Sequence, residues 1–244
     1  MKKILILFVM AFAINVAAQE SVLLRLNYKK GDIYIMSVKI SQDMGTMMSM
    51  DVSMKMKQEI TSVTGDTYVS TMRISHISMD MSQGGMNMSY DSSKSDDELD
   101  ASGMMLKAQM GPALQSVITI KGNTLGKVSE MSMEPKVPGA QNLADQFTNI
   151  EFPKNALNVG DTWEMSKSTQ GMNMHYVYKV KSITKEIILL DVSGRVSGVA
   201  EGTITGDTKV DRNSGVPLIS NLNMKMMVQG QEMLSKMTTT ITKQ

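Results

Sequence analysis

Thioether sulfur is the most plentiful coordinating group in this sequence: 27 of its 244 residues are methionine and none is cysteine. Thioethers are soft ligands that select Cu(I) over harder ions, and Met-x-Met on a strand sets two sulfurs on one face about 6.6 Å apart at the backbone. Met172-Asn173-Met174-His175 and Met79-Asp80-Met81, with His76 close by, are the candidates for a Cu(I) or Ag(I) site. Packing is the competing reading, because an unbranched, polarizable side chain also fills irregular gaps in an apolar interior. Ile, Val and Leu share the methionine positions, so their arrangement requires no metal.

Other chemistry finds few residues to carry it. Nucleophilic catalysis needs a nucleophile, a base and an orienting group. The chain has only His76 and His175, and none of its serines sits in a nucleophile elbow. His175 falls on the polar parity of its strand with Asn173 and Lys179, and His76 has no base partner near it in sequence. The acidic run Asp96, Asp97, Glu98, Asp100 lacks the alternating ligands and glycine of a calcium loop and reads as a helix N-terminus after Ser95. A non-catalytic protein without a cofactor is the expectation.

The elements that would position these residues are strands. Met48, Met50, Val52, Met54, Met56, Gln58 and Ile60 alternate with Ser49, Asp51, Ser53, Lys55, Lys57 and Glu59. A period of two describes a β-strand with one face on an apolar interior. The pattern recurs at Met172, Met174, Tyr176, Tyr178, Val180 and at Val216, Leu218, Leu222, Met224, Met226, Val228. It also runs through Val22 to Tyr28 and Tyr34 to Ile40. Gly65-Asp66 and Gly84-Gly85 predict hairpin turns, and the phase change at His76 predicts a β-bulge or an end of pairing.

Between Ser92 and Val117 the spacing becomes helical, with Gly111-Pro112 predicting a kink or a division into a helix pair. A second short helix is expected from Ala140 to Phe147. The fold class is therefore mainly β with minor α: a strongly curved antiparallel sheet, or open half-barrel, whose concave face the inserted helices (92–117) cover.

The chain also resembles itself. Gly31-Asp32-Ile33-Tyr34 matches Gly160-Asp161-Thr162-Trp163; Thr61 to Thr64 matches Lys181 to Thr184; Asn123 to Val128 matches Asp211 to Val216. Half-repeats of about 22–134 and 151–244 within one domain, 19–244, follow, the second lacking the helical insert.

Lys2-Lys3, the apolar run Ile4 to Ile14 and Val16-Ala17-Ala18 form a secretory signal peptide (1–18), expected to be cut near Ala18. The run is shorter than the roughly 20 residues that span a bilayer, and no later segment reaches that length, so no transmembrane segment is expected. Removing Lys2 and Lys3 from the 25 basic residues leaves a formal charge of −1 against 24 acidic ones, which argues against nucleic acid as a partner. The expected location is periplasmic or secreted, with no lipid anchor, since no cysteine follows the signal.

At Gly160-Asp161-Thr162-Trp163, preceded by Phe152-Pro153-Lys154 and Asn158-Val159, the chain resembles a bacterial secreted family named domain of unknown function 6263. Tyr90 to Asp97 and Asp211 to Pro217 strengthen the resemblance, which covers nearly the whole mature chain. It implies location and fold more than chemistry. The strand order is similar to that of periplasmic carriers and receptors for outer-membrane lipoproteins, open half-barrels with helices plugging an apolar cavity. No shared motif transfers a lipid-contacting residue from them.

The reading these observations favour is an apolar ligand, a lipid, an acyl chain or a hydrophobic peptide, in a methionine-lined concavity formed by Met48, Met50, Met54, Met56, Met172, Met174, Tyr176, Met224 and Met226. Trp163 is expected to anchor a strand end by packing. The alternatives are a Cu(I) or Ag(I) protein and an interaction scaffold with a closed core.

Overall fold

The computed structural model describes residues 20–136, 150–169, 171–228 and 230–244. The expected signal peptide and the expected helix from Ala140 to Phe147 lie outside the described residues.

Twelve strands form one antiparallel sheet: β1 (Ile33–Asp43), β2 (Met48–Thr64), β3 (Thr67–Gln83), β4 (Met86–Asp91), β5 (Val117–Asn123), β6 (Val128–Glu134), β7 (Thr162–Thr169), β8 (Met172–Ile183), β9 (Ile187–Gly198), β10 (Ala200–Asp211), β11 (Pro217–Val228) and β12 (Gln231–Lys243). Their order is β6-β5-β3-β2-β1-β12-β11-β10-β9-β8-β7, with β4 beside the second half of β3. The sheet is not closed: β6 and β7 are its two edges. Alternation selects the strands as expected. On β2, Met54, Met56 and Ile60 are buried while Ser53, Lys55, Lys57 and Glu59 face water or the boundary.

The half-repeat is written into this order. β1, β2, β3, β5, β6 and β7, β8, β9, β10, β11 are two meanders laid in the same sense, and β12 joins them between β11 and β1. Matching turns make matching bonds. Gly31 N–H donates to Ile60 O and Ile60 N–H to Asp32 O, as Gly160 donates to Val180 and Val180 to Asp161, all at 2.8–2.9 Å. The Asp32 carboxylate accepts from Lys29 N–H at 3.0 Å, and Asp161 from Asn158 N–H at 2.8 Å. Bulges repeat too, at Thr61 between β2 and β3 and at Lys181 between β8 and β9. Where β9 runs directly into β10, the first half carries its helix.

That insert differs from the expected pair. Ser95 opens a single 3-10 turn (Asp96–Glu98), its N–H bonded to the Glu98 carboxylate at 2.9 Å, and Asp100 then caps one helix, α1 (Ala101–Gln115), accepting from Gly103 N–H at 2.7 Å. Pro112 lies in the last turn of α1 and does not divide it: the helix runs on to Gln115. The helix packs on β4 and β3 through Leu106 and Ala113. It covers that corner of the sheet.

Val22, Leu24, Leu26 and Tyr28 were expected as a strand. They alternate in burial as a strand does, yet pair only through the bridge from Val22 to Leu157. The segment instead crosses the strand ends as a strap: Leu26 N–H donates to Thr124 O and Asn27 N–H to Ser214 O, joining the equivalent turns of the two halves. Tyr28 packs on Tyr34 and Tyr68, with ring centroids 5.4 and 4.9 Å apart. Trp163 anchors the β7 end, stacked on Tyr178 at 5.1 Å with its indole N–H bonded to Glu151 O at 2.9 Å.

Curvature has a local cause in β9 and β10. A Cβ on Gly194, Gly202 or Gly206 would stand 2.2, 2.3 or 2.0 Å from the carbonyl oxygen of His175, Lys225 or Asn221 on the neighbouring strand. Backbones approach here closer than any side-chain-bearing residue permits, and the sheet coils inward. Gly206→Ala is expected to destabilise by at least about 2–3 kcal/mol in urea unfolding, because backbone and not a flexible side chain must move. Thr205→Ala, on the exposed face next door, is expected to cost less than about 1 kcal/mol.

At the β3–β4 corner the predicted irregularity at His76 is a bulge centred on Ser75, and β3 continues through it. His76 does have a carboxylate partner, contrary to the sequence reading: its Nε2 lies 2.9 Å from Asp91 Oδ1, which β4 brings alongside. Asp91 also accepts from Ser93 N–H at 2.8 Å and Ser93 Oγ at 2.6 Å. The Ser93 bonds first, and His76 after them, lower the Asp91 pKa to about 2 against the opposing effect of burial. A carboxylate whose folded pKa is depressed contributes stability above its unfolded pKa of about 3.9, lost as pH falls through about 2. Asp91→Asn is therefore expected to be less stable than the parent at pH 7 and pH 5, with the gap shrinking as denaturation curves are repeated from pH 4 to pH 2.

Candidate functional site

The inward coil turns the apolar parity of β1, β12 and β11 toward that of β7 and β8 across a shared hollow. Five strands lie between β1 and β7 in the sheet, yet both line one cavity of about 120 Å³. Met36, Val38 and Ile40 of β1 form one wall together with Met237, Thr239 and Ile241 of β12 and Ser220 and Leu222 of β11. Met165 and Lys167 of β7, Tyr176 and Tyr178 of β8, and Ile150 form the other.

The lining is apolar with a few placed polar groups. Thr208 is buried, and its hydroxyl pairs with that of Ser220 at 2.9 Å. Tyr176 donates to the Met174 sulfur at 3.2 Å. Burial raises the pKa of both Tyr176 and Tyr178, with the Tyr176 ring adding to the rise at Tyr178, so both stay protonated. Lys167 is half-buried on the inward parity of β7, two places beyond Met165 and four beyond Trp163. Among the described residues it is the one cation in the lining. Sequence reasoning missed it, although the parity of Trp163 marks Lys167 as inward. Such a surface can hold an apolar chain by contact.

Of the nine residues selected from sequence, Tyr176 lines this cavity. Met54, Met56 and Met226 are buried in the packed core. Met50, Met172, Met174 and Met224 are half-buried on the same face, packed against that core, and Met48 is half-buried farther along β2. The cavity itself is lined by Met36, Met165 and Met237, of which the sequence reading places only Met36 on a strand.

The metal candidates separate. Met172 and Met174 share the inward face, but His175 points to the opposite face, where its Nδ1 lies 3.1 Å from Ser166 Oγ and its Nε2 3.7 Å from the Glu164 carboxylate. His76 likewise faces away from Met79 and Met81 and pairs with Asp91. Among the described residues no group of three His, Cys, Asp or Glu side chains could hold a metal ion.

Ser166, His175 and Glu164 are the nearest approach to a nucleophile, base and acid. They lie on the outer face of an edge hairpin, with the His175 and Glu164 side chains 45% and 68% exposed, where water competes for each bond. Among the described residues no helix is long and apolar enough to cross a membrane.

No family model and no curated protein matches the chain. Among solved structures it is similar to the translocator domain of the autotransporter NalP from Neisseria meningitidis, at 9% identity over 88% of each chain and a TM-score of 0.42.

Proposed function

We propose that this protein is an exported, non-catalytic envelope protein that binds an apolar ligand, an acyl chain or hydrophobic peptide segment, in the hollow between β1–β12–β11 and β7–β8. The observation that carries the reading is a cavity walled by Met36, Ile40, Leu222, Met237 and Met165, with the half-buried Lys167 on its lining. At about 120 Å³ it is smaller than the roughly 300–1,000 Å³ of small-molecule pockets, so a ligand must part its walls. Unbranched thioethers at Met36, Met165 and Met237 are suited to that, since they change rotamer at low cost, and β7 is an edge strand held from one side only.

Export rests on Lys2-Lys3, the run Ile4 to Ile14 and Ala17-Ala18, and the resemblance to domain of unknown function 6263 agrees with it. Protein purified from its own envelope and sprayed under native conditions is expected to carry a lipid-mass adduct. Met165→Arg, which sets a second cation into the apolar wall, is expected to lose it while retaining the far-ultraviolet β spectrum. A parent protein free of adduct that also fails to bind a fluorescent fatty acid would sink the reading, as would an adduct undiminished in Met165→Arg.

A further inference from the structure

Cross-strand register assembles a group of sulfurs that sequence spacing conceals. Met50 of β2 stands directly opposite Met81 of β3, and Met81 directly opposite Met88 of β4. Residues opposite one another in an antiparallel sheet share a face, with Cβ atoms about 4.5–5.5 Å apart. The outer two backbones are about 9–10 Å apart, twice the strand spacing, and each thioether has three rotatable bonds with which to lean over Met81.

We propose that Met50, Met81 and Met88 form a binding site for Cu(I). Three observations separate this row from ordinary packing. Rows deeper in the same sheet mix side-chain types, as Met54 with Ile77 and Met56 with Ile74, whereas this one places thioethers on three adjacent strands. Among the described residues no other row does so. Met54 and Met56 are 2% and 0% exposed, out of reach of an ion, whereas Met50, Met81 and Met88 are half-buried at the open end of the sheet.

The third observation is the donor set. Gln42 lies opposite Met50 on β1, and Met48 and Met79 are the next residues on the same face of β2 and β3. The nearest carboxylates, Asp51 and Asp80, face each other across the opposite side. Neutral, soft donors without a carboxylate favour a soft monovalent ion over Zn²⁺, Mg²⁺ or Ca²⁺. The row is also held in place: Gly84 N–H donates to Met47 O at 3.3 Å, tying the β3–β4 turn to the β1–β2 turn beside it.

The test uses the full mature chain labelled with 13C at methionine methyls, titrated anaerobically with Cu(I) against a chromophoric chelator, and with Ag(I) as a redox-inert probe for NMR. One equivalent is expected to shift the methyls of Met50, Met81 and Met88, assigned through single leucine variants. Loss of an outer partner in metal sites already costs about 10–100-fold in affinity, so each of M50L, M81L and M88L is expected to weaken Cu(I) by at least about tenfold. The triple variant is expected to abolish the chelator competition, while M172L/M174L leaves it unchanged. Leucine conserves volume, and undisturbed methyls elsewhere report that the fold persists. Shifts spread evenly over the methionines, or affinity that survives the triple replacement, would overturn the site.

Discussion

The carbonyl oxygen of Asn221 on β11 occupies the space where a Cβ on Gly206 would stand, and the oxygens of Lys225 and His175 do the same at Gly202 and Gly194. These contacts set the radius of the sheet. With side chains there, β8 to β11 would flatten, and β7 and β8 would swing away from β1 and β12. The cavity would then open into a plain concave surface. Curvature also decides which residues can meet: Met165 and Met237 are far apart along the sheet and reach the same hollow only because the sheet coils. A coiled but unclosed sheet keeps two free edges, and β7, with Lys167 on its inward face, forms one lip of the hollow.

Two halves of one design surround that hollow, and their difference is informative. The paired turns at Asp32 and Asp161 and the paired bulges at Thr61 and Lys181 show the same local solution used twice. The strap from Val22 to Tyr28 fastens the halves together by bonding one turn from each. Only the first half carries α1, which packs on the corner made by β3 and β4. Among the described residues the second half has no counterpart of α1, and its strands β7 and β8 supply Met165, Tyr176 and Tyr178 to the cavity.

Much of this was legible in the sequence because period two is a local signal. The even positions of β2 and β8 could be assigned inward without knowing any partner strand, and the turns at Gly65 and Gly84 followed from residues tolerating positive φ. The half-repeat was legible for the same reason, since its turns recur in sequence. What stayed hidden depends on non-local neighbours. Gly194, Gly198, Gly202 and Gly206 recur every four residues on the inward parity, a visible pattern whose meaning needs the adjacent backbones. The strap looked like a strand because its burial alternates, but alternation reports a buried side and not a ladder of bonds. The partner of His76 was hidden because Asp91 lies 15 residues away and arrives only through the β3–β4 hairpin.

Methionine is ambiguous in the sequence for a physical reason: its side chain is apolar enough to fill a core and soft enough to bind a soft ion. Parity cannot separate these uses, because both require the inward face. Position along the strand can. On β2 the same face runs from Met56, sealed beneath the sheet, through Met54 to Met50 and Met48, which meet the solvent boundary. A thioether in the sealed part has only packing to contribute. One at the open end retains a lone pair that something from solution can reach, and cross-strand register then determines whether it acts alone or beside two others.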